Sequence, residues 1–142
     1  MSEDPLRSLV VELQYLEGTA QAMQQRISLI DAAITEMQVA NSTMEGLKSE
    51  SVGADALVPI GGGSYIRAKI GDNERLIVGI GADVAIEKSL PEAIESYTAR
   101  IAELQKARST MERQIEQVLA RIEKGRQELQ KLAKEAEGKG DV

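Results

Sequence analysis

Residues 58–71 read VPIGGGSYIRAKIG. Gly61, Gly62 and Gly63 stand between two apolar runs, with Arg67 and Lys69 close behind, so the stretch reads either as a phosphate-cradling loop or as a turn. A Walker loop needs Gly-x-x-x-x-Gly-Lys-Ser/Thr running from a strand into a helix. Here no Lys-Ser/Thr pair follows, and the next residues alternate. In SYIRAKI (64–70), Ile66, Ala68 and Ile70 fall on one face and Tyr65, Arg67 and Lys69 on the other. That is the period of a strand with one buried face. The glycines turn a hairpin. Gly79-Ile80-Gly81 is no dinucleotide fingerprint either, because no glycine follows at the required offset and no helix opens there.

The neighbouring segments have the same grammar. ALVPI (56–60), RLIVGI (75–80) and DVAIE (83–87) are short and rich in β-branched residues. GGG, Gly71-Asp72-Asn73 and Gly81-Ala82 separate them, all residues suited to turns. The pattern predicts four strands in two successive hairpins, with Pro59 at an edge or bulge. The insert is strongly apolar, carrying Leu57, Val58, Ile60, Ile66, Ile70, Leu76, Ile77, Val78, Ile80, Val84 and Ile86. Isolated hairpins are marginal in water, and their unpaired edges invite further chains. These residues are therefore the expected subunit-assembly set, closing sheets or barrels from several copies.

On either side lie heptads. Leu6, Leu9, Leu13, Leu16, Ala20, Met23, Ile27, Ile30, Ile34, Met37, Asn41 and Met44 follow steps of three and four, all apolar except Asn41. A run this long is a coiled-coil seam. Asp4 and Pro5 suit its start, and a helix over residues 5–50 would extend about 70 Å. After the insert, Ile94, Tyr97, Ile101, Leu104, Arg108, Met111, Ile115, Val118, Ile122, Gly125, Leu129, Leu132 and Ala136 repeat the spacing, broken by Arg108 and Gly125. Ser89 and Glu92 make a capping box with Pro91 in the first turn, and Gly138 and Gly140 are expected to stop the helix. The predicted fold class is α+β: a long antiparallel α-helical coiled coil with an inserted double β-hairpin that builds an oligomeric β-barrel hub. The expected domains are a first helix (1–53), a hairpin assembly region (54–88), a second helix (89–137) and a flexible tail (138–142), with both chain ends together at one end of the coiled coil.

Composition excludes much chemistry. The 142 residues include no Cys, no His, no Phe and no Trp. Disulfides, thiol catalysis, the usual zinc sites and histidine acid–base chemistry are thereby ruled out. The net charge of -6 opposes binding to nucleic acid or anionic lipid. The acidic start MSEDPLRSLV is not a secretory signal, and no apolar run approaches a membrane span. The carboxylates occupy the solvated heptad positions expected of a coiled coil. Asn41-Ser42-Thr43 fits a glycosylation acceptor in form only, being on a helix. The residues give no catalytic, cofactor or metal site, and no enzyme is expected.

A heptad helix, then VPIGGGSYIRAKIGDNERLIVGIGADVAIEKS, then a second heptad helix resembles the α-type subunits of the archaeal prefoldin family over essentially the whole chain. The double hairpin, where β-type subunits have a single one, carries the resemblance. It implies an ATP-independent cytoplasmic chaperone without cofactor. Two α and four β subunits would form a double β-barrel platform bearing six coiled coils. Non-native client proteins would be held at the distal tips and passed to a group II chaperonin.

The tips should be the two ends of this chain. Leu6, Leu9, Val10, Val11 and Leu13 from the first helix, with Leu129 and Leu132 from the second, form the candidate client-binding set. They supply more apolar surface than a two-position seam requires, with Val10 and Val11 outside it. If the end splays, all could meet a client; the alternative is packing within the seam. Gly18, Ala20, Ile122 and Gly125 should lie at one level, either as a soft joint or as tolerated small residues. A structural coiled-coil scaffold or tether without client binding is the rival function.

Overall fold

The structure, a computed structural model, describes residues 4–140, with side chains to 138. The chain runs α1 (Asp4–Leu47), β1 (Asp55–Gly61), β2 (Ser64–Lys69), β3 (Arg75–Gly81), β4 (Val84–Ser89) and α2 (Leu90–Gly140). It forms two compact units. One holds residues up to Ala32 with those from Gln105 onward; the other is Ala33–Leu104.

Helix α1 ends at Leu47, past its last heptad position Met44 but short of the expected residue 50. After Leu47 the amides of Lys48, Ser49 and Glu50 bond to carbonyls three residues back, and the Ser49 hydroxyl donates to the Gly46 carbonyl. Such tight turns satisfy helix-end carbonyls without adding an α turn. Gly53, with φ of 90°, then reverses the chain so that its N–H reaches the Ile70 carbonyl at 2.7 Å. Helix α2 opens on the expected cap, the Glu92 amide donating to Ser89 Oγ at 3.3 Å. Its end differs from expectation, since the helix continues through Gly138 to Gly140. Gly138 keeps a helical backbone rather than the left-handed φ of a terminating glycine. A lone helical glycine costs about 1 kcal/mol relative to Ala, too little to enforce a stop. Met1 to Glu3, and the expected tail residues Asp141 and Val142, lie outside the described residues.

The strands form two separate antiparallel pairs, β1–β2 and β3–β4, as the alternation predicted. Val58 stands opposite Ile66, and Val78 opposite Ile86. Each pair has a register shift one residue before the turn, between Pro59 and Gly61 and between Gly79 and Gly81. Pro59 thus adjoins a bulge, where proline is tolerated. Both turns are two-residue loops with positive φ at their centres: Gly62 (59°) and Gly63 (76°) in one, Ala82 (50°) and Asp83 (60°) in the other. This is the type I′ turn whose twist matches the flanking strands. Glycine takes it freely, whereas alanine is strained there. Ala82→Gly is therefore expected to stabilise the second hairpin by about 0.5–1 kcal/mol, read as a higher midpoint in urea at unchanged slope.

Every seam position assigned to α1 is buried or half-buried. In the terminal unit, Leu9, Leu13, Ala20 and Ile122 form a core against which Leu16, Val118, Leu129 and Leu132 pack. Each large aliphatic side chain withdrawn from water contributes about 2 kcal/mol. Antiparallel pairing shows in cross-helix contacts: Glu12 receives both hydrogen bonds of Arg121, and Asp31 receives two from Arg108. Arg108, which interrupts the α2 seam, also pairs with Glu112. Its hydrogen bonds to Asp31 first and Glu112 second raise its pKa, so the seam carries a fixed positive charge with its partners in place.

In the hairpin unit, Met44, Val78, Leu90 and Ala93 form the core, joined by Ala40, Leu47, Leu76, Ile94 and Tyr97. Asn41, the polar residue of the α1 seam, donates from Nδ2 to Thr98 Oγ1 at 3.1 Å. Its buried Oδ1 accepts no hydrogen bond from the described residues. A half-satisfied seam amide gives up stability and favours the single register in which it meets its partner.

Candidate functional site

Two apolar surfaces stand out, one in each unit. In the terminal unit the seven residues expected to meet a client divide into two sets. Leu9 and Leu13 are buried, and Leu6, Leu129 and Leu132 are half-buried. Leu9, Leu13, Leu129 and Leu132 pack together within the chain. Val10 and Val11 are exposed, Val11 to 65%.

Gly125 explains why the end is closed. A Cβ placed on it would lie 2.5 Å from Leu13 Cδ2 and 3.7 Å from Leu9 Cδ1. The missing side chain is the space that Leu13 occupies. Gly18, by contrast, is exposed with no neighbour within 4 Å. The two glycines do different things, and Gly125 serves close packing. Ion pairs flank this closure: Arg121 with Glu12, and Arg126 with Glu17 at 3.0 Å. Tyr15 and Leu29, neither assigned a role from the sequence, are also exposed on α1. They lie outside the seam spacing. Their signal was that misfit: large apolar residues at heptad positions where charge is the rule.

In the hairpin unit most of the apolar strand residues expected to assemble are exposed, while Leu76 and Val78 pack into the chain's own core. Leu57, Val58, Ile60, Ile66, Ile77, Ile80, Val84 and Ile86 are exposed, Ile77 to 79%. Ile70 and Leu76 are half-buried. Val78 is the most buried of the set, only 6% exposed and packed against the chain's own helices at Met44, Leu90 and Ala93. It faces inward because alternation puts it opposite Ile77 across the strand. In this conformation it is not available to a second chain.

Among the described residues no group of His, Cys, Asp and Glu could hold a metal ion, and no helix is long and apolar enough to cross a membrane. A chain with its apolar surface on unpaired hairpins and around a capped coiled coil has the anatomy of an assembly subunit. Comparison with known proteins is specific. The family model for prefoldin subunits matches residues 16–135. The chain belongs to the prefoldin family. Prefoldins are chaperone subunits rather than enzymes. The chain is 35% identical over 113 residues to prefoldin subunit alpha of Methanopyrus kandleri, covering 80% of this chain and 72% of that one. It is 40% identical over 105 residues to prefoldin subunit alpha 1 of Thermococcus kodakarensis, covering 72% of each. Prefoldin subunit alpha of Pyrococcus horikoshii is 34% identical over 135 residues, 94% of this chain and 88% of the relative. All three relatives are archaeal α subunits, as the double hairpin implied. Its fold matches that of filamentous prefoldin from Methanocaldococcus jannaschii, with a TM-score of 0.69 and 23% identity over 80% of this chain and 93% of the other.

Proposed function

We propose that this prefoldin α subunit is part of an ATP-independent holdase that captures non-native polypeptides and delivers them to a group II chaperonin in the cytoplasm. In this reading the segment around residues 54–88 assembles with β subunits, two α to four β, into a β-barrel platform. The helices on either side, within 1–53 and 89–137, carry the client-binding tips. The observation that carries the proposal is the exposed apolar patch of Val10, Val11 and Tyr15 beside a closed leucine cluster. Apolar contact asks nothing of a client's sequence, as a general holdase requires. Val10 and Val11 meet the client first; Leu9, Leu13, Leu129 and Leu132 join when the end opens, with Leu6 between the two sets.

The test is suppression of aggregation when a denatured enzyme is diluted into buffer containing the complex of this chain with its β partner. Val10→Ser with Val11→Ser is expected to weaken suppression severalfold. Its thermal midpoint should hold, because exposed substitutions shift stability by only about 0.5 kcal/mol. A wild-type complex that assembles but suppresses nothing would favour the scaffold reading.

A further inference from the structure

Helix α1 carries two series at steps of three and four. The first is the seam that meets α2. The second is offset from it by two places and runs Val11, Tyr15, Gly18, Ala22, Gln25 and Leu29 within the terminal unit. Every one of these residues is exposed, Val11 to 65%, Tyr15 to 73% and Leu29 to 71%. None is charged, and between Gly18 and Ile30 the one charged residue is Arg26. The back of a coiled-coil helix is ordinarily its charged side. The same offset on α2 obeys that rule: Lys106, Arg113, Lys124, Lys131 and Lys134 fall there, with no large apolar residue among them. The back of α1 also has relief. Tyr15 and Leu29 stand about 21 Å apart along the helix, with Gly18, Ala22 and Gln25 between them. A Cβ on Gly18 would meet nothing within 4 Å. Two large side chains therefore bound a low, uncharged floor.

We propose that this series is a second seam, and that its occupant is an amphipathic helical segment of a non-native client. A helix brings its own apolar residues into line at the same steps of three and four, so they seat between Tyr15 and Leu29 as knobs do in a coiled coil. Its backbone hydrogen bonds are already made, whereas an extended segment laid on a helix leaves its N–H and C=O groups unpaired. An extended segment also repeats every second residue, out of step with this series. Gln14, Gln21 and Ser28 line one rim without charge, so the sign of a client's charge does not decide its entry there. Three large side chains among small ones fall short of the roughly 800 Å² per partner that a lasting interface buries. That suits a segment held and released, and neither a second copy nor a permanent subunit. The series begins at Val11 and Tyr15, in the patch assigned to first client contact, and carries it on to Leu29. The inference rests on the holdase reading and adds a client class: segments with helical periodicity, preferred over equally apolar segments without it.

The test uses two labelled peptides of identical composition, titrated into the complex of this chain with its β partner. One has its apolar residues at steps of three and four, and the other has them alternating. The first should bind at least tenfold tighter and gain helical circular dichroism on binding. Leu29→Ser should weaken it severalfold with the thermal midpoint unchanged, because the side chain is exposed. Since this chain has no cysteine, Leu29→Cys and Gln117→Cys each fix a photocrosslinker at one exposed point, on the back of α1 or of α2. Only the first should capture the helical peptide. Equal affinity for both peptides, or equal capture from both cysteines, overturns the second seam; aggregation suppression that persists in that case leaves the holdase reading standing. Capture at Leu29→Cys by a complex that suppresses no aggregation keeps the seam and removes the holdase. Crosslinks between two copies of this chain at position 29, undisturbed by peptide, overturn the client as occupant in favour of a second copy.

Discussion

Ile77→Asp is expected to leave the chain folded and to abolish subunit assembly, while Val78→Asp, one residue along the same strand, is expected to unfold the hairpin unit. The side chains point to opposite faces of β3, one 79% exposed and the other 6%. A carboxylate at 77 keeps its water in the free chain and costs the fold little. Within a subunit interface it would be a buried charge without a partner, and losing water uncompensated is expensive. Circular dichroism should match wild type, with mass falling to that of the 15.4 kDa chain. At position 78 the same carboxylate would enter the cluster of Met44, Leu90 and Ala93. An unpaired charge there costs on the order of 3–5 kcal/mol, a large share of a domain's total stability. The helical signal should then melt in two stages, the portion near the hairpins first. Equal behaviour of the two variants would mean that the faces of β3 are not divided between core and interface.

The same pair of residues marks how far the sequence could be read. Alternation placed Ile77 and Val78 on opposite faces, but both are large aliphatics, so pattern alone could not say which face the chain covers for itself. The answer depends on how the helix ends close over the strand, through Met44 on the helix before the hairpins and Leu90 and Ala93 on the helix after them. The seam was legible along α1 and along α2 as far as Leu132, with Ala136 beyond it exposed, because a repeat of three and four fixes a stripe with no knowledge of the partner helix. Even its polar members were legible as exceptions, though their partners Asp31 and Thr98 were not. Partners across an antiparallel pair require the register, and the register is set by the length of the hairpin insert. The C-terminal glycines misled for the opposite reason: a composition rule suggested a stop that the backbone of Gly138 does not make.

The level of Gly125 was legible, but not the leucine side chain that fills the space beside it, and this gives the second large effect. As a flexible point it would resemble Gly18, and alanine at either position would stabilise the helix by about 1 kcal/mol. The structure predicts opposite signs. Gly18→Ala adds a methyl to open solvent and should raise the thermal midpoint. Gly125→Ala places Cβ 2.5 Å from Leu13 Cδ2 and 3.3 Å from its Cγ. The methyl of a leucine could rotate away at a free surface, but Leu13 is 6% exposed and packed with Leu9, Ala20 and Ile122. Overpacking of this kind costs about 1–3 kcal/mol, enough to outweigh the helix gain, and Gly125→Leu should cost more. Amide exchange over residues 9–13 should quicken in the destabilised variants. The decisive comparison removes the obstacle. Leu13→Ala alone should cost about 2–5 kcal/mol through the cavity it leaves, but in that background Gly125→Ala should become stabilising. A sign reversal measures direct coupling between the two sites. Alanine at 125 that stabilises both backgrounds equally would show that Gly125 is no seat for Leu13.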